Sequence, residues 1–116
     1  MHEFSLVQGL MAQLEKLAAE NGAGRILRVT MEIGPFSGVV VDSFSFGFEA
    51  LAPLAALTRE AELVILRSPQ RYGCRACSDE QDMDGDARPE ECPCCGSRDI
   101  FPLGGDDVIL RQVEME

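Results

Sequence analysis

Four of the five cysteines fall in two Cys-x-x-Cys pairs, Cys74-Arg75-Ala76-Cys77 and Cys92-Pro93-Cys94-Cys95, with 14 residues between them. No cysteine lies outside residues 74–95. A secreted disulfide framework spreads its cysteines to staple distant loops, whereas paired cysteines in one short stretch read as a metal site in a reducing compartment. Two residues between thiols let each turn aim both sulfurs at one ion. Four sulfurs meet the tetrahedral preference of Zn²⁺ and leave no position open, the pattern of a structural site. Gly96 suits the tight turn after the second pair. Zinc is therefore expected on Cys74, Cys77, Cys92 and Cys95, with Cys94 a bystander. Iron in a rubredoxin-like site is the rival, since the same sulfurs bind it.

The stretch between the pairs carries Asp79, Glu80, Asp82, Asp84, Asp86, Glu90 and Glu91. It cannot build an apolar core, so its folding should depend on the metal. The whole chain is acidic, with 10 Lys+Arg against 20 Asp+Glu and a formal charge of −10. No basic patch relieves that balance, which argues against nucleic-acid binding. No apolar run approaches the ~20 residues a membrane-crossing helix needs. Glu3 and the lack of a basic start argue against a secretory signal. The expected location is the cytosol.

Outside the cysteine stretch the pattern is that of an α+β fold. Val7, Leu10, Met11, Leu14, Leu17 and Ala18 fall on one helical stripe, which Asn21-Gly22 ends. Residues 26–33 alternate, with Leu27, Val29, Met31 and Ile33 on one face of a strand. Phe44, Phe48 and Leu51 fall at helical spacing in a second helix, with Asp42 or Ser43 as its cap and Pro53 near its end. Residues 61–66 form a second strand, apolar enough to be covered on both faces. Residues 108–115 form a last strand that returns to the first sheet. The expected architecture is a small three-stranded mixed sheet with two helices, plus an inserted Cys₄ zinc-ribbon-like lobe. Residues 1–69 and 104–116 make the α/β domain, and 70–103 the zinc-binding domain.

His2 is the sole histidine. Next to a free α-amine it offers two nitrogen donors joined by a backbone amide, the set that Ni(II) and Cu(II) favour in tetragonal sites. The amide of Glu3 adds a fourth nitrogen and its carboxylate an outer oxygen. An enzyme is not expected. The chain has no second histidine, no Ser/His/Asp set and no P-loop lysine, and a closed zinc site has no catalytic vacancy.

The opening Met1-His2-Glu3-Phe4-Ser5-Leu6 resembles that of the HypA/HybF family of hydrogenase-maturation nickel metallochaperones. Glu32-Ile33-Gly34 with Ser37-Gly38, the helix residues Phe46, Phe48 and Glu49, the two cysteine pairs and the 108–115 strand are similar to that family in the same order. The resemblance implies a nickel metallochaperone that binds Ni²⁺ as transferable cargo at Met1, His2 and Glu3. It implies delivery to the large-subunit precursor of a [NiFe] hydrogenase, with a HypB-type GTPase as partner and, in some members, urease accessory proteins. Zn²⁺ on the four cysteines is then structural, and a homodimer formed by strand exchange stays open. Two further readings need no nickel. One is a zinc-stabilised acidic adaptor that docks a basic protein, and the other a rubredoxin-like electron carrier.

Overall fold

The structure, a computed structural model, describes residues 2–83 and 89–116, without the side chain of His2. Two compact units emerge. The first comprises residues 1–32, 39–66 and 109–116, and the second residues 33–38 and 67–108.

In the first unit, α1 spans His2–Glu20 and α2 spans Val41–Leu51. The stripe on α1 is buried at Val7, Leu10, Leu14 and Ala18, which repeat at three- and four-residue steps. Helix α2 buries Phe44, Gly47 and Phe48. A Cβ on Gly47 would come within 3.2 Å of the Val7 side chain, so glycine is what lets the two helices approach here. The cap differs from expectation. The first turn closes on the carbonyl of Val40, which accepts the Phe44 N–H at 3.0 Å, and no side chain caps it. Asp42 sits inside that first turn, where its charge favours the positive end of the helix without a capping bond. A 3₁₀ turn at Ala52–Leu54 follows α2, and the buried Thr58 hydroxyl donates to the Ala52 carbonyl at 2.8 Å.

Strands β1 (Ile26–Ile33), β2 (Glu62–Arg67) and β6 (Val108–Met115) form a three-stranded sheet in the order β2-β1-β6. Arginines record the strand directions. Arg25 pairs with Glu60 and Glu116, Arg28 with Glu62 and Glu114, and Glu32 with Arg111. Partners on the β2 side rise with residue number along β1 and those on the β6 side fall, so the sheet is mixed. All eight of these side chains are at least partly exposed, and such pairs add only a few tenths of a kcal/mol each, up to about 1 kcal/mol.

Two strand expectations need correcting. Leu27 is 38% exposed, while Ile26 is fully buried. At this mouth of β1 the N–H groups of Gly24 and Arg25 both donate to the Glu116 carbonyl. Both bonds lie ahead of Ile26, the first residue of the strand. Strand β2 is not covered on both faces: none of its residues is buried, and Leu66 is 46% exposed. It lies at the edge of the sheet, where among the described residues one side has no neighbouring strand.

The second unit contains a sheet in the order β4-β3-β5, antiparallel throughout. Its strands are β3 (Gln70–Cys74), β4 (Glu80–Met83) and β5 (Ile100–Pro102). Residues 33–38 belong to this unit rather than to the sheet they follow. The N–H groups of Gly34 and Phe36 donate to the carbonyls of Asp107 and Gly105 at 2.9 and 2.7 Å. Phe36 meets Tyr72 edge-on, with ring centroids 5.7 Å apart. A Cβ on Gly34 would lie 2.2 Å from the Gly105 carbonyl oxygen, so only glycine fits that crossing.

Candidate metal centre

The four paired cysteines come together. Their sulfurs all lie within 4.8 Å of one another, with Cys74–Cys95 and Cys77–Cys92 at 3.6 Å. Zn–S bonds of about 2.3 Å in a regular tetrahedron set sulfurs about 3.8 Å apart. The cluster has that size and chemistry, so the residues present fit a tetrathiolate ion. Cys94 is exposed and is not part of the cluster.

Two matching turns build the centre. In the first, the Cys74 carbonyl accepts the Ser78 N–H at 2.9 Å, and the Cys74 N–H donates to the Asp79 carbonyl at 3.0 Å. In the second, the Cys92 carbonyl accepts the Gly96 N–H at 2.8 Å, and the Cys92 N–H donates to the Ser97 carbonyl at 2.7 Å. The fifth residue of each turn is left-handed, Ser78 at φ 60° and Gly96 at φ 77°. The two turns are therefore equivalent except that one carries a Cβ where the other has none. Spacing alone flagged Gly96; Ser78 gave no such signal, because serine is not a residue that marks left-handed backbone.

Strand β3 delivers Cys74, and β5 braces it. Arg75 ties the two ends by donating from its backbone N–H to the Asp99 carbonyl at 3.0 Å and from Nη1 to Asp99 Oδ1 at 2.9 Å. Its guanidinium lies 4.6 Å from the Phe101 ring centroid. That ring lies over Gly73, where a Cβ would come within 2.7 Å of it.

The sulfurs differ in acidity. The N–H of Cys77 bonds the Cys74 sulfur and, with the neighbouring thiols, lowers its pKa to about 7 against the cost of burial. At Cys77 the N–H of Asp79 pulls downward, yet burial and the sulfurs of Cys92, Cys95 and Cys74 push the thiol well up. Cys95 is also raised: the Ser97 N–H lowers it, and burial and Cys74 outweigh that. Cys74 thus ionises readily while Cys77 and Cys95 hold their protons, and a cation is what makes all four thiolates compatible.

Of the amino-terminal trio, Met1 and the His2 side chain lie outside the described residues. The backbone of His2 opens α1, and Glu3, half-buried, falls in its first turn. Among the described residues, no helix is long and apolar enough to cross a membrane.

A family model described as HypA, a hydrogenase/urease nickel incorporation metallochaperone, matches residues 1–115. Relatives named hydrogenase maturation factor HypA include one from Geobacter metallireducens, 39% identical over the full length of both chains. Another, from Shewanella sp. (strain MR-7), is 36% identical over all of this chain and 96% of its own. Among solved structures, that of a HypA protein in solution covers all of this chain and 97% of its own at TM-score 0.70 and 28% identity. The solution structure of the Ni metallochaperone HypA from Helicobacter pylori is similar over 97% of this chain and 96% of its own, at TM-score 0.65 and 27% identity. With the cysteine cluster and the two-helix, two-sheet fold already in place, this chain belongs to the HypA family of nickel-incorporation metallochaperones, which are maturation factors and not enzymes.

Proposed function

We propose that this chain captures Ni²⁺ at its amino-terminal segment and hands it to the large-subunit precursor of a [NiFe] hydrogenase. The reading rests above all on the family match, which begins at residue 1. The donors are the Met1 amine, the amides of His2 and Glu3 and the His2 imidazole, with the Glu3 carboxylate outside them. The helix start supports this set. The first four N–H groups of a helix have no carbonyl within it to donate to, and the amides of His2 and Glu3 are among them. Giving up those amide protons to a metal therefore costs the helix no hydrogen bond. A chelate on a chain end also releases its ion more readily than a buried cage does.

Zinc on Cys74, Cys77, Cys92 and Cys95 holds the second unit in shape, with no coordination position for cargo. A HypB-type GTPase is the expected partner in the transfer, urease accessory proteins a further destination, and the cytosol, where thiols stay reduced, the setting.

Replacing His2 tests the reading. His2→Ala should abolish tight nickel binding in a calorimetric titration while zinc content and the helical circular dichroism stay at the levels of the unaltered chain. Undiminished nickel affinity in that variant would refute the site. A residue fused ahead of Met1 should have the same effect, because it removes the amine from register.

A further inference from the structure

The first unit carries a cleft of about 270 Å³ that no metal chemistry uses. One wall is a single line along α1, Gln8, Met11 and Glu15, spaced three and four residues apart. The opposite wall is Leu51, Leu54 and Leu57, from the end of α2 and the turn beyond it. Leu54 is 78% exposed, the most exposed large apolar side chain among the described residues. Small-molecule pockets run about 300–1,000 Å³ and bury most of their ligand, so this smaller, open-sided cleft suits a side chain of another protein better than a cofactor.

The charge on its lining is of one sign, with Lys16 and Arg59 next to lining residues in sequence. Its only ionisable lining residue is Glu15, which has no ion-pair partner among the described residues. No Lys or Arg lines it, α2 carries none, and the chain as a whole is at −10. A second copy of so acidic a chain would meet repulsion there, whereas a basic surface would be steered in.

We propose that this cleft is a docking groove for a basic amphipathic helix of a partner protein. One apolar side chain of that helix fills the space between Met11 and Leu54, and a lysine or arginine one turn away pairs with Glu15. This is the helix-in-groove mode, in which apolar anchors give affinity and flanking charge gives orientation. It does not depend on where nickel binds.

The probe is a fluorescein-labelled peptide of about 16 residues, long enough to become helical on a surface, with leucines at i, i+3, i+4 and i+7 and lysines elsewhere. A peptide of identical composition but scrambled order controls for simple charge attraction. Fluorescence anisotropy should show the amphipathic peptide binding at least about tenfold more tightly than the scrambled one. Leu54→Ser should remove most of that difference, and Glu15→Lys should weaken the amphipathic peptide by about three- to tenfold. Both side chains are exposed, so melting temperature and zinc content should not change in either variant. Equal affinity for the two peptides, no binding at all, or indifference to both substitutions would overturn the proposal. So would a homodimer in sedimentation that Leu54→Ser dissolves, since the groove would then be filled by a second copy. Nickel titration of the same variants keeps the outcomes apart: loss of peptide binding with intact nickel affinity concerns the groove alone.

Discussion

Ser78 occupies the same place in its cysteine turn that Gly96 occupies in the other, at φ 60° against 77°. A residue with a Cβ pays about 1–2 kcal/mol for left-handed backbone, and glycine does not. Ser78→Gly should therefore stabilise the zinc-loaded protein by about 0.5–1 kcal/mol, the relief being partly offset by a freer unfolded chain. Gly96→Ala should cost about 1–2 kcal/mol, both measured by thermal denaturation. The acidity of the sulfurs sets a second residue-level expectation. Only Cys74 has its pKa lowered, to about 7, while Cys77 and Cys95 are raised. Zinc binding to the reduced, metal-free protein at neutral pH should accordingly expel protons, those held by Cys77 and Cys95 among them, measurable with an indicator dye in weak buffer. The sign follows from competition: protons and zinc seek the same lone pairs, so affinity falls as pH drops, already above 7 because of the raised Cys77 and Cys95, and further as Cys74 protonates near 7. At this scale the convergence of the four paired cysteines is legible in their spacing, which has few other uses. Ser78 is not legible in that way, because its strain depends on the turn around it.

Helix α1 was legible because its apolar residues keep one period over about three turns, and the structure buries four of that stripe's six residues, Val7, Leu10, Leu14 and Ala18. Leu14 is fully buried at its centre, so Leu14→Ala should destabilise the first unit by about 2–5 kcal/mol in urea denaturation. The shorter elements were harder to read. Strands β3, β4 and β5 hold five, four and three residues, too few for a period to show, and Glu80 and Asp82 put charge on the middle one. What pairs them is the convergence of their ends on four sulfurs, a cause that sits outside the strands themselves. Strand β2 misled for the opposite reason. Its apolar run matches a central strand, yet the sheet order places it at an edge, and position in a sheet is decided by the other strands. The capless start of α2 belongs with these. Asp42 has the chemistry of a cap, but the backbone bond from Phe44 to Val40 sets the cap two residues earlier, at Val40.

At the scale of the molecule, the two units rest on different forces. The first is held by Val7, Leu10, Leu14, Ile26, Val29, Phe44 and Phe48 in a continuous apolar core. Among the described residues the buried side chains of the second are few, and two of them belong to the cysteine cluster, Cys74 and Cys92. Chelating the zinc from reduced protein should therefore abolish hydrogen-exchange protection across β3 while the amides of α1 stay protected. Simultaneous loss in both units would show a single cooperative fold instead. Composition changes sharply near residue 70, where the cysteine-bearing stretch begins. The place of residues 33–38 in the second unit has no such signal, because Gly34-Pro35-Phe36 reads as an ordinary turn until Gly105 and Tyr72 are seen against it.

That exchanged turn has a topological outcome. The polypeptide passes from one unit to the other four times, at residues 32–33, 38–39, 66–67 and 108–109. No single backbone cut can liberate either half as a continuous piece, and a protease that nicks one crossing leaves three tethers intact. Anyone excising the cysteine lobe as a fragment would leave behind the strap that completes it.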